Sequence, residues 1–169
     1  MTTRVGISTG QFKAALGRWP SGVSVVTTRA GGQPAGMTVS AFFSVSLDPP
    51  LVAVCLDRRA LTLGSIVQSG YFAVNVLSDA QSALSDRFAT KDNEPVRFDG
   101  VALAEVEDAR SPLLAGALVQ LDCELQATHD AGDHVLCVGK VSQALTYPGA
   151  PLIYHATGYH GLTPLQRQE

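Results

Sequence analysis

Two long β-patterned runs, residues 118–129 and 134–145, flank the short connection Asp130-Ala131-Gly132-Asp133, and nothing else in the chain narrows its possible folds so sharply. Strands joined by so few residues pair antiparallel, because a parallel pair needs a crossover of a dozen residues or more. A second hairpin is predicted upstream: residues 23–28 are rich in β-branched residues, Gly31-Gly32 supplies a turn, and residues 37–46 resume a strand pattern until Asp48-Pro49-Pro50 stops it. Residues 51–56 and 71–77 are short, continuous apolar runs, the pattern of strands buried on both faces.

Helical signals are fewer. Ser8 and Gln11 have capping-box spacing, and Phe12, Ala15, Leu16 and Trp19 follow at i, i+3, i+4 and i+7, which predicts an amphipathic helix over residues 9–18 that Pro20 ends. A short helix over 61–68 carries Leu63, Ile66 and Val67, and Ser78 with Gln81 predicts another over 79–89 ahead of Leu84 and Phe88. TKDNEPVRFDG follows as an exposed loop. Many short strands and a few short helices favour a mainly β, antiparallel Greek-key barrel over a doubly wound parallel sheet. No repeat or linker divides the chain, so residues 1–169 are expected to form a single domain.

A chain of 169 residues can bury roughly two-thirds of its unfolded surface without disulfides. Charged residues are 16% and apolar ones 46%, which excludes a disordered chain and suggests that some apolar surface meets a partner subunit. The formal net charge of −3, with no basic run longer than Arg58-Arg59, offers no footprint for nucleic acid or an anionic membrane. The three cysteines, Cys55, Cys123 and Cys137, lack a CxxC spacing and sit in apolar runs, so free thiols in a reducing compartment are expected. No segment has signal-peptide or membrane-span character, and a cytoplasmic location is the expectation.

Residues 36–42, GMTVSAF, are unusual for a core strand because hydroxyls and small residues stand where large apolar ones belong. The strand period of two puts Thr38 and Ser40 on one face, where both hydroxyls can meet one oxyanion or the polar edge of a ring. On composition alone the alternative is a sheet face of cross-strand Thr and Ser pairs. His134 follows a hairpin turn, a place where a histidine is ordinarily a surface residue. Asn75, inside an apolar strand, needs a partner if buried, either a ligand or a neighbouring backbone group. His129, Asp130, Asp133 and His134 match no metal-ligand spacing, and no metal is predicted. No Rossmann glycine fingerprint or P-loop is present, so a nicotinamide cofactor would have to bind outside a dinucleotide fold.

Four segments in this order, GMTVSAFFSVSLDPPLVAVCLD, FAVNVL, RFATK and GDHVLCVGKV, resemble the flavin reductase family that supplies reduced flavin to two-component monooxygenases. The similarity runs from about Phe12 to Gly161. It implies an FMN-binding split β-barrel, commonly a homodimer, with flavin contacts from Met37, Thr38, Val39, Ser40 and Ala41 and with Cys55, Leu56 and Asp57 beside them. Thr62, at a helix start, is similarly placed for the phosphate, and Arg58 and Arg59 either add charge there or are solvated. Arg87, Phe88 and Lys91 resemble the family's contacts to the flavin tail, although a basic residue at a helix C-terminus also suits the macrodipole without any ligand. His134 matches a histidine near flavin and nicotinamide, the one residue for which a catalytic role is implied. His155 and Tyr159 occupy the C-terminal positions where the family has nicotinamide contacts, with His155 departing from the basic residue expected there.

The resemblance thus implies an NAD(P)H:flavin oxidoreductase that reduces FMN, or FAD, with NADH or NADPH and passes reduced flavin to a monooxygenase component. Two rivals remain: an FMN-retaining flavoprotein of the same fold that reduces another acceptor such as ferric iron, and a non-catalytic flavin- or haem-binding split barrel.

Overall fold

The structure, a computed structural model, describes residues 6–90, 94–163 and 165. Its strands are β1 (Ser21–Gly22), β2 (Ser24–Ala30), β3 (Gln33–Val39), β4 (Phe42–Ser46), β5 (Leu51–Asp57), β6 (Tyr71–Val76), β7 (Val119–Ala131), β8 (His134–Thr146), β9 (Ile153–His155) and β10 (Gly158–His160). The helices are α1 (Thr9–Leu16), α2 (Leu61–Ser69) and α3 (Ser82–Ala89). Seven strands form one antiparallel sheet in the order β3-β2-β6-β7-β8-β5-β4, and β1, β9 and β10 make a small second sheet.

The expected strand over 37–46 is two strands. β3 is one edge of the large sheet and β4 the other, yet only Ser40 and Ala41 separate them. A flat sheet of this width would hold its edges roughly 29 Å apart, whereas three Cα–Cα steps span at most about 11 Å. The sheet therefore curls until its edges approach at this end, with the Cys55 N–H donating to Ala41 O at 3.0 Å. The edges are not hydrogen-bonded to each other along their length, so the barrel is split rather than closed.

Curling leaves two cores. Val26, Val39, Val54, Leu56, Phe72, Val74 and Cys137 fill the barrel, and Leu63 and Ile66 of α2 plug its end. Gly70, at φ 75°, stops α2 by a backbone bond to Ile66 O. Val67 stays exposed. Val25, one residue from Val26 and so on the opposite face of β2, joins Leu77, Phe88 and Leu114 in a second core beneath α3. Gly139 is dictated by packing: a Cβ there would lie 2.4 Å from Phe72 Cζ.

Three details differ from the sequence reading. Helix α1 ends at Leu16, and its last turn tightens as Arg18 and Trp19 donate to Ala15 O and Leu16 O. The Ser78 capping box opens a 3-10 turn over Asp79–Gln81, and α3 starts only at Ser82. The loop expected to be exposed instead buries Arg97 and half-buries Phe98, whose ring meets Phe88 edge-on at 5.0 Å.

Candidate functional site

Three adjoining grooves follow the seam where β3 passes into β4. The first, about 220 Å³, is lined by Met37, Thr38, Asp57, Arg59, Phe88 and Arg97 among others. The second, about 360 Å³, shares Thr38 and adds Val39, Ser40, Ser85, Tyr154 and Tyr159. The third, about 700 Å³, shares Ser40 and Tyr154 and adds Ala41, His134, His155 and the α1 side chains of Phe12 and Leu16, with Trp19 beyond them. The apolar face of α1 thus walls a groove instead of entering a core, and no α1 residue is buried.

The fold gathers most of the sequence-predicted residues at this seam. Ser40 has left β3, so strand alternation does not pair it with Thr38, yet both line the second groove. The Thr38 hydroxyl, however, donates to Ser85 O at 2.6 Å, so toward a ligand it offers only lone pairs. Cys55 is half-buried beside the Ala41 carbonyl, while Leu56 is fully buried in the barrel and can serve a groove only through its main chain. Thr62 is buried as the second residue of α2 and lines none of the three grooves. Arg87 also stays outside them: its guanidinium donates to Val96 O at 3.1 Å and Asp99 O at 2.5 Å, clamping the loop after α3. Phe88 is buried and reaches the first groove from the second core. Lys91 lies outside the described residues. Asn75 is fully buried and served by neighbours, donating to Val25 O and Thr27 Oγ1 and accepting from Leu114 N.

Charge is organised in adjacent pairs at one end of the seam. The Asp57 carboxylate takes a two-pronged contact from Arg59, Nε to Oδ1 at 3.2 Å and Nη2 to Oδ2 at 3.1 Å, and that bonding raises the Arg59 pKa above its ordinary value. Arg58 reaches the β7–β8 turn, 2.9 Å from Asp130. His134 Nδ1 lies 2.7 Å from Asp133 Oδ1, a contact that holds the Asp133 pKa below the usual carboxylate value. Tyr159 donates toward Asp86 Oδ1 at 2.7 Å and Ser85 Oγ at 2.9 Å, and burial leads the causes that raise its pKa.

Sequence reasoning missed Arg97 and the C-terminal turn. Arg97 is only 3% exposed and donates to Gly36 O at 2.5 Å and to Thr90 O, with Glu94 3.7 Å away. Burial lowers its pKa and Glu94 works in the opposite direction. Phe98 beside it was the one sequence hint that the loop packs inward. In the β9–β10 hairpin His155 pairs with Gly158, so Ala156 and Thr157 form the turn, at φ 48° and 67°. Such turns favour Asn-Gly, and a β-branched residue at positive φ is strained. Thr157 borders the second groove and Ala156 the third.

Comparison with known proteins places these features in a family. The chain is 37% identical over 164 residues to a flavin reductase of Pseudomonas putida, covering 96% of this chain and 95% of that protein. It is 42% identical over 152 residues to the reductase component of 4-hydroxyphenylacetate 3-monooxygenase from Thermus thermophilus, covering 89% and 95%. The solved structure of the Streptomyces globisporus NADH:FAD oxidoreductase SgcE6 in complex with NAD and FAD fragments superposes with a TM-score of 0.84 at 33% identity, covering 92% and 93%. The model of the flavin reductase like domain matches residues 16–163, and the chain belongs to that family.

Proposed function

We propose that this protein is an NAD(P)H:flavin oxidoreductase that reduces FMN, with FAD as the alternative, and supplies the reduced flavin to a monooxygenase component. The observation that carries this reading is the continuous groove along Met37–Ala41, bordered by His134 at one end and by Tyr159 and Asp86 on its flank, in a member of this family. The relatives' own names as reductases and reductase components favour it over ferric-iron reduction or passive flavin or haem binding.

The residues present fit a flavin. Small side chains at Ser40 and Ala41 leave main chain exposed along the seam, Met37 offers polarisable apolar contact, Thr38 offers an acceptor, and Cys55 supports the seam through its backbone bond to Ala41 O. Arg59, two residues before α2 and held by the Asp57 carboxylate, lines the first groove where a phosphate would meet it. Thr62, Leu56 and Arg87 act from behind, by shaping α2, β5 and the loop after α3. When bound, flavin supplies the acceptor for a hydride from reduced nicotinamide. The protein's part is placement: His134, anchored by Asp133, orients the carboxamide of the donor, His155 borders the same groove, and Phe12, Leu16, Trp19 and Tyr154 exclude water. Holding both rings in attack geometry makes the transfer effectively unimolecular.

The whole chain acts as one flavin-binding unit, and as a homodimer. Phe43 and Val45 of edge strand β4 and Leu47 in the turn after it are exposed at 49%, 48% and 93%, apolar surface that a second copy would cover. The protein acts in the cytoplasm, where diffusible flavin and nicotinamide are found; no described helix is long and apolar enough to cross a membrane. The test is loss of reduced-nicotinamide absorbance with NADH or NADPH, with and without added FMN or FAD. Oxidation is expected only with flavin present, and flavin-independent oxidation or none at all would overturn the proposal.

A further inference from the structure

Away from the seam, a cleft of about 300 Å³ opens on the outer face of β6, β7 and β8, and it shares no lining residue with the three grooves. Asp122 lies at its base, 2% exposed. One carboxylate oxygen accepts from the Arg110 N–H at 3.0 Å, while the other, Oδ1, is buried without a hydrogen-bond partner. Opposite it on β8, the Gln143 side chain has the same problem. Its Nε2 donates to Glu107 O at 3.0 Å, which fixes the amide's orientation and leaves Oε1 buried and without a partner.

The backbone makes this pairing deliberate. Asp122 stands opposite Gln143 and Cys123 opposite Val141, so Ser142 is the extra residue of a β-bulge, and its hydroxyl donates to Asp122 O at 2.9 Å. A bulge re-aims the side chains beside it, here setting Gln143 next to Asp122 in the cleft. Two buried acceptors sharing one cleft without a donor is a costly arrangement in a folded chain. Arg110, the one cation lining the cleft, has its guanidinium 4.3 Å from the centre of the Tyr71 ring, not on either oxygen. The carboxylates of Asp108 and Glu124 complete the rim.

We propose that this cleft binds a primary ammonium group, which would donate to Asp122 Oδ1 and Gln143 Oε1 together. A hard metal cation is the weaker fit, because it wants six or more oxygens and no three His, Cys, Asp or Glu side chains among the described residues group closely enough to hold one. An ammonium needs only two or three acceptors, and the carboxylates of Asp108 and Glu124 at the rim offset the charge that Arg110 brings to the cleft. The ammonium is either that of a free alkylamine or that of a lysine presented by another protein.

The test is thermal unfolding and calorimetric titration of the full chain with n-pentylamine, with Nα-acetyl-lysine methylamide, and with n-pentyltrimethylammonium, which carries the charge but no N–H. The first two are expected to bind saturably and raise the Tm, and the third is not. Tighter binding of the blocked lysine assigns the site to a protein lysine, and tighter binding of pentylamine to a free amine. Asp122→Asn keeps the acceptor for Arg110 and gives Gln143 Oε1 a donor, so it should unfold at a higher temperature than the parent and bind amines at least about tenfold more weakly. Flavin reduction should not change. If that variant does not fold, Gln143→Met is measured and should show the same loss of amine binding. Equal responses to pentylamine and its trimethyl analogue, or an undiminished response in the variants, would overturn the proposal.

Discussion

Asp57 and His134 stand directly opposite each other, at the last register pair between β5 and β8. Each is flanked by an oppositely charged or chargeable partner, Arg59 for Asp57 and Asp133 for His134. The Arg58 N–H donates to Asp133 O at 3.0 Å, tying the two segments together. The end of this ladder therefore joins the first groove, lined by Asp57 and Arg59, to the third, lined by Asp133 and His134.

His134→Ala should lower kcat/KM for the reduced nicotinamide by roughly tenfold to a hundredfold, about 1.4 to 2.7 kcal/mol, as loss of a positioning hydrogen bond does. Flavin affinity should change little, since the side chain lines only the third groove. Stopped-flow reduction of the flavin-loaded variant checks this. A parental rate would move the role to His155 or Tyr159.

Thr38→Val and Ser40→Val should part company. Each is expected to weaken flavin binding by about 1 to 2 kcal/mol. Only Thr38→Val should also lower the Tm, because it leaves Ser85 O without its donor. Flavin fluorescence titration and calorimetry on both variants separate the two effects.

Thr157→Gly relieves a β-branched residue at φ 67° and should raise stability by up to about 1 kcal/mol after allowing for glycine's extra freedom in the unfolded chain. Turnover should fall if the strained turn sets the spacing between the second and third grooves. A higher Tm with unaltered steady-state kinetics would show that the strain has no catalytic use.

Burial pushes the Cys123 thiol up to about 12 and the Cys137 thiol up to about 11, from an ordinary value of 9.0. Both are held protonated more tightly in the folded state than in the unfolded one. The stability this contributes is intact below pH 9.0 and lost as pH rises toward 11 and 12. Alkaline unfolding should therefore steepen over that range, and Cys123→Ala/Cys137→Ala should flatten the profile in pH-dependent denaturant titrations. At neutral pH a thiol reagent should reach only the half-buried Cys55 of the folded chain.

Gly139→Ala should destabilise by about 1 to 3 kcal/mol through overpacking, because the added methyl would meet both Phe72 and Cys123. Denaturant midpoints measure the cost, and a companion Phe72→Leu change should recover part of it.

Much of this was legible in the sequence, and the rest was hidden for identifiable reasons. β patterning located the β7–β8 hairpin, continuous apolar runs located the buried strands β5 and β6, and capping-box spacing located α1 and the turn before α3. The break at Ser40-Ala41 was invisible because both halves keep strand chemistry: only the distance between sheet edges requires the chain to cross there. The candidates on β3, β5 and β8 came from the resemblance of their segments to the flavin reductase family; strand alternation by itself singled out only Thr38 and Ser40. Thr62 and Arg87 line none of the three grooves, and helical position alone does not tell which way a side chain's partner lies: Thr62 is buried and Arg87 turns to Val96 O and Asp99 O. Arg97 was missed because its burial depends on Gly36 O and Thr90 O, carbonyls remote from it in sequence.

The two-residue bridge from β3 to β4 also limits how such a protein can diversify. Ser40 and Ala41 border the proposed ligand groove and at the same time set the circumference of the barrel, so an insertion there to widen the groove would spring the sheet open. Length changes can be absorbed by outer walls such as the α1 segment and the β9–β10 hairpin, which touch the groove without belonging to the large sheet. Changes in what the groove accepts should therefore be sought in those walls, with the seam kept at fixed length.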